Sequence, residues 1–295
     1  MKRYVVAITP VIIVLSAFSS YLGVTSYYSR EYAIVKTPRG NEVDFLNNGV
    51  YKFSSRALAA EGIPWDAVRL LFGIPFLAVS FFFFMRRSLR GTLLYTGLLA
   101  NFFYQYLLWA YAWAFNHLFL IYVLLYSLSL VCMILVVTSI DPAAVRESIK
   151  EKFPSGTISV FMFVVAGFLM FLWLGKMIPA SVTDILPEEL RGEQTAVTQA
   201  SDLGLLVPLS LFSGVLLAKR NPFGYILSPA VLVFSVNMCL SILAGSIVGG
   251  FETGFMPVAV IVMFVLLMML SAALLSKALL NIAPTKSFMK IGVWK

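Results

Sequence analysis

Residues 66–91 read DAVRLLFGIPFLAVSFFFFMRRSLRG, and residues 199–224 read QASDLGLLVPLSLFSGVLLAKRNPFG. Each is a polar head, an apolar run, a basic turn and then the start of another apolar run. The landmarks keep one offset: Arg69 with Asp202, Pro75 with Pro208, Arg86-Arg87 with Lys219-Arg220, and Gly91 with Gly224. A helix needs about 20 apolar residues to cross the hydrocarbon core. These two stretches therefore read as transmembrane hairpins, and they decide the fold class. The charges at the matched heads differ in sign, Arg69 in one and Asp202 in the other.

Composition points the same way. The 295 residues are 60% hydrophobic and 12% charged, with mean hydropathy +0.90. A soluble domain carries roughly 25% charged residues, so this chain has too little polar surface to cover a globule in water. Its partner is the lipid bilayer. The net charge of +8 follows from basic loops on one side of a membrane, which removes nucleic acid as an expected partner. Cys132 and Cys239 lie in separate apolar runs with no CxxC spacing, and His117 is the one histidine. A disulfide framework and a His/Cys zinc site are not expected. No cofactor or metal is implied, and no phosphate loop, GxSxG or HExxH is present.

Apolar segments fall at about 4–24, 67–85, 91–112, 115–138, 156–178, 202–218, 224–248 and 256–280. The expectation is an all-α integral membrane fold of eight helices in one domain, 1–295. Lys2, Arg3, Arg86, Arg87, Arg90, Arg146, Lys150, Lys152, Lys219, Arg220, Lys277, Lys286, Lys290 and Lys295 fall on one side. The 183–196 connection instead carries Asp184, Glu188, Glu189 and Glu193 against Arg191. Basic residues mark the cytoplasmic side, so both termini are placed in the cytoplasm and the chain in the inner membrane. A cleaved signal peptide ending near Ala17-Phe-Ser19 is the alternative for the first segment; it would leave seven spans.

Two halves, 1–138 and 156–280, would form a parallel repeat about an axis along the membrane normal, because four helices is an even number. Convergence competes with this, since any short inner turn collects basic residues. The long loop at 25–66 is the exception to this charge pattern: its five basic residues are offset by Glu31, Glu42, Asp44 and Glu61, charge bias counts less in long translocated loops, and it is placed outside. Pro38-Arg39-Gly40-Asn41 and Asn47-Asn48-Gly49 punctuate it, and Val43 with Phe45 and Val50 with Phe53 alternate around them. A small antiparallel sheet is expected there, followed by a short helix capped by Ser54 or Ser55 and stopped near Gly62 and Pro64.

Ionisable residues within the hydrocarbon are costly and point to function. Arg69, Asp202, Gln199, Asn101, Gln105 and His117 are the candidate ligand-binding residues, all in the outer half. Arg69 can clamp a carboxylate or phosphate; it can equally pair with Asp66 three residues earlier. Asp202 is a cation or proton site, or an acid favoured by a helix N-terminus. Arg69 and Asp202 are expected to face one outward-opening cavity and to pair there. Asn116 reads as a cap and His117 as an interfacial histidine. Tyr104, Tyr106, Trp109, Tyr111, Trp113 and Phe115 read as an interfacial aromatic belt.

Asn48–Ser54, Asn116–Tyr122 and Thr198–Pro208 resemble a widespread family of uncharacterised multi-pass prokaryotic membrane proteins. The resemblance covers most of the chain and carries no activity, so it transfers no catalytic residues. The leading expectation is binding or transport of a small polar or anionic solute. A membrane enzyme acting on a lipid-linked substrate at the outer face, and a sensor or assembly factor using its outer loop, are the alternatives.

Overall fold

The computed structural model describes residues 2–29, 31–37, 40–183, 187, 190, 193–285 and 287–290. Pro38-Arg39, the acidic connection with Asp184, Glu188, Glu189 and Arg191, and Lys286 and Lys295 lie outside the described residues. The helices are α1 (Lys2–Thr25), α2 (Arg56–Val68), α3 (Ile74–Met85), α4 (Leu89–Tyr111), α5 (Phe119–Ser139), α6 (Pro142–Glu147), α7 (Ser155–Thr183), α8 (Val197–Ser201), α9 (Val207–Ala218), α10 (Pro222–Thr253) and α11 (Val258–Leu280). Counting α2–α3 and α8–α9 as continuous, seven helices are long and apolar enough to cross a membrane.

The remaining long helix, α4, is 23 residues long and too polar to count among those seven. Its place explains its composition. It packs against α3, α5 and α10, and most of its residues are buried, including Asn101, Tyr104 and Gln105. Its polar groups meet protein rather than lipid. In α11 only Ser271, Leu274 and Ala278 are buried, and its window hydropathy reaches 3.0, as lipid contact demands.

The two quoted stretches fold alike. In the first, a π-helical turn at Arg69–Gly73 joins α2 to α3; in the second, one at Asp202–Leu206 joins α8 to α9. Pro75 and Pro208 follow each turn. Proline has no N–H and its ring crowds the carbonyl four residues back. The widened turn relieves that crowding, with Ile74 N–H donating to the Arg69 carbonyl and Val207 N–H to that of Asp202. Both 12-residue helices that follow end on a left-handed arginine, Arg87 at φ 57° and Arg220 at φ 52°. Ser88 Oγ then accepts from Gly91 N–H at 3.3 Å, and Asn221 Oδ1 from Phe223 N–H at 3.0 Å. A Cβ on Gly91 would lie 2.3 Å from Phe83 Cβ, and one on Gly224 2.4 Å from the Leu217 nitrogen.

The outer loop differs in detail from its expectation. The sheet pairs β1 (Tyr32–Lys36) with β2 (Glu42–Leu46), antiparallel, Ile34 opposite Asp44. The run at 50–53 is a turn, because Gly49 and Phe53 take positive φ; β2 pairs with the segment before it instead. Ser55 does cap α2, accepting from Leu58 N–H at 3.3 Å, but the helix passes through Gly62 and Pro64. Gly62 is a contact rather than a stop: a Cβ there would lie 2.6 Å from the Tyr51 ring and 2.8 Å from Trp113 Nε1.

At the basic end, the C-terminal tail is pinned under the bundle. Ile282 bridges Ile149 and Met289 bridges Ile140. Arg90 Nε and Nη2 both donate to the Ile282 carbonyl, at 3.0 and 2.6 Å.

Candidate functional site

Arg69 opens the first π-turn and is 1% exposed. Its guanidinium lies between the Tyr106 and Trp109 rings, 4.4 and 4.5 Å from their centroids. Nε donates to Gln105 Oε1 at 3.0 Å, and Nη1 donates to Ser20 Oγ at 3.2 Å and to Asp66 Oδ1. The remaining nitrogen, Nη2, is buried with no hydrogen-bond partner. Gln105 Nε2 continues the network to Ser241 Oγ on α10 at 3.2 Å. A buried ion pair needs additional hydrogen-bond partners of this kind, since desolvation offsets its Coulomb attraction.

The loop between α1 and α2 closes the network. Tyr51 is buried and donates to Asp66 Oδ2, while Trp109 Nε1 donates to the Tyr51 hydroxyl at 3.2 Å. Burial and the neighbouring Asp66 carboxylate hold the Tyr51 hydroxyl well above its ordinary range, so it stays protonated and donates. One cluster thus joins the loop, α1, α2, α4 and α10.

Asp202 opens the second π-turn. Its Oδ1 accepts from Tyr104 and its Oδ2 from Trp173 Nε1 of α7 at 2.8 Å. Both partners are neutral donors. Gln199 is buried one turn earlier. Arg69 does not pair with Asp202, contrary to the expected shared cavity; its ion partner is Asp66. The cause is α4. Gln105 and Tyr104 are adjacent on that helix and project about 100° apart, one toward each charge.

Asn101 is buried one turn from Gln105, with Nδ2 unpartnered. His117 lies apart from this cluster, exposed in the connection before α5. Asn116 Oδ1 accepts from Leu118 N–H at 2.8 Å, a local cap. The sequence reading missed Ser20, Tyr51, Trp173 and Ser241. Tyr104, Tyr106 and Trp109, read as an aromatic belt, are buried within this network; Tyr111 and Phe115 are exposed. Position along a helix cannot distinguish a ring facing lipid from one facing protein.

A third polar cluster joins Thr9 Oγ1 to Tyr95 OH at 2.5 Å, with Cys132 Sγ 3.2 Å from Tyr95. Both cysteines are buried thiols. Among the described residues no group of three or more His, Cys, Asp or Glu could hold a metal. Surface clefts lie at the two ends of the bundle: about 210 Å³ beside Tyr27, Tyr28, Tyr32, Arg56 and Glu252, and about 330 Å³ beside Arg86, Arg87 and Arg90.

No family model, no curated protein and no solved structure matches this chain.

Proposed function

We propose that this chain is an eight-span inner-membrane protein of two parallel four-helix halves, with both termini cytoplasmic. It binds, and carries, a small polar or anionic solute at Arg69. The observation that carries the reading is Arg69 Nη2, a donor of a fully buried guanidinium with no partner. An unmet donor on a buried charge costs more than an ordinary lost hydrogen bond, and a carboxylate or phosphate oxygen is its natural complement. The unpartnered Asn101 Nδ2, one turn from Gln105 on α4, offers the solute a second buried donor.

The π-turns support the same place. Such turns occur often at functional sites, and here each begins on a buried charge. Their matching positions, prolines and left-handed arginines support an internal duplication, with α4 and α10 as the packed pair between the halves. Tyr51 acts as the outer gate: its ring fills the space above Asp66, and withdrawing the loop would open the ion pair from outside.

Thermal unfolding of the purified protein against carboxylate and phosphate metabolites tests this. A solute should raise the unfolding temperature of the wild type and of His117→Ala, but not of Arg69→Lys, which keeps the charge and loses the planar donors. A panel without a hit, or a hit that Arg69→Lys retains, would overturn the assignment.

A further inference from the structure

The two matched basic turns have different surroundings. At the second turn, Arg146 reaches from α6 and donates to the Arg220 carbonyl. At the first, the turn and the C-terminal tail together wall a cleft of about 330 Å³, lined by Arg86, Arg87, Ser88, Leu89, Arg90, Ala283, Pro284 and Thr285. Three arginines line it, and no carboxylate is among the lining residues.

The positive-inside rule explains basic residues at a turn, but it does not explain a walled cleft. Two features build this one. Arg90 is fixed by its paired bonds to the Ile282 carbonyl, which also hold the tail in place. Arg87 holds a left-handed backbone, φ 57°, uncommon for a residue with a side chain and met where surrounding structure enforces it. Arg90 is therefore set by the fold beside an open volume, with the exposed Arg86 and Arg87 at its rim, and guanidinium planes match phosphate oxygens well.

The neighbourhood indicates where such a phosphate comes from. Phe82 and Phe83, one turn up the helix, are large exposed apolar side chains, and Arg86 lies 5.1 Å over the Phe82 ring. A basic pocket bordering lipid-facing phenylalanines offers one surface to an acyl chain and another to a headgroup. Basic pockets between membrane helices on the cytoplasmic side bind anionic headgroups in this way.

We propose that the cleft between the Arg86–Arg90 turn and the Ala283–Thr285 tail is a binding site for a phosphate group, supplied by an anionic phospholipid of the inner leaflet. The proposal is independent of the solute site at Arg69.

The test is thermal unfolding of the full-length protein in neutral detergent, titrated with dioctanoyl phosphatidylglycerol, dioctanoyl phosphatidylcholine or inorganic phosphate. Phosphatidylglycerol should stabilise saturably and phosphatidylcholine should not. In Arg86→Gln/Arg87→Asn the concentration needed should rise about thirtyfold, the effect of removing two charges at an anionic headgroup. Asparagine is chosen because it tolerates the left-handed backbone. The matched pair Lys219→Gln/Arg220→Asn should leave the response unchanged. If the double variant does not fold, Arg86→Gln alone should raise the midpoint about fivefold. Stabilisation by inorganic phosphate as strong as that by lipid, and lost in the variant, would keep the site and assign it to a soluble phosphate. No response to either, or one that the variant retains, would overturn the proposal.

Discussion

Arg69 is held by Asp66, Gln105, Ser20 and two aromatic rings, and its removal should be felt through Asp66. Arg69→Ala leaves a buried carboxylate with only the neutral hydroxyls of Tyr51 and Ser20 beside it, a loss of about 3–5 kcal/mol. Replacing both charges, as Asp66→Leu/Arg69→Met, should cost less than Arg69→Ala alone. Unfolding free energies of the singles and the double check this by a mutant cycle; additive effects would sink the pair. Tyr51→Phe removes one charge-assisted hydrogen bond, worth about 1.5–3 kcal/mol. It should lower the unfolding temperature and speed solute association, because the loop loses its bond to Asp66. The charges at these positions were legible from sequence, since an arginine one turn into an apolar run has few neutral explanations. Their partners were not. Ser20 and Ser241 are serines in apolar helices, a pattern shared with Ser16, Ser129 and Ser228, and only the packing distinguishes them.

At the scale of elements, the seven long apolar helices and the hairpin turns could be read from apolar length and basic residues, because the bilayer imposes both. The π-turns could not, although Pro75 and Pro208 were in view: a proline marks strain without saying how the helix relieves it. This gives a direct test. Deleting Leu71, an exposed side chain in the first π-turn, should return the helix to α geometry and rotate its outer half by about 100° relative to its inner half. Asp66 and Arg69, both before Leu71 in the chain, would turn together away from Gln105 on α4. Membrane insertion should persist and the solute response should vanish. A deletion variant that still responds would show that the π-turn has no part in placing the site. The outer sheet shows the converse limit: alternating residues at both 43–45 and 50–53 invited the wrong partner, and the positive φ at Gly49 and Phe53 decided against it.

The whole molecule is organised around α4. Where it crosses α10, a Cβ on Gly97 would lie 2.6 Å from the Ala230 carbonyl oxygen. Gly97→Ala should therefore wedge α4 and α10 apart and destabilise by about 1–3 kcal/mol, the usual cost of overpacking, read as a lower unfolding temperature. Orientation has an equally plain readout. A cysteine at His117 should react with an impermeant maleimide in intact cells, and one at Lys219 only after permeabilisation; the reverse pattern would invert the topology. The burial of α4 also bears on how the chain is made. A segment carrying Asn101, Tyr104, Gln105 and Tyr106 enters lipid poorly on its own, since its polar groups find no partners there. During synthesis it has to wait beside the insertion machinery until α5 emerges to cover it. A nascent chain cut after Tyr111 should thus be released unspanned, and one cut after Ser139 should lodge both helices together. Biogenesis of this protein would then proceed in pairs of helices, with α4 entering the bilayer together with α5.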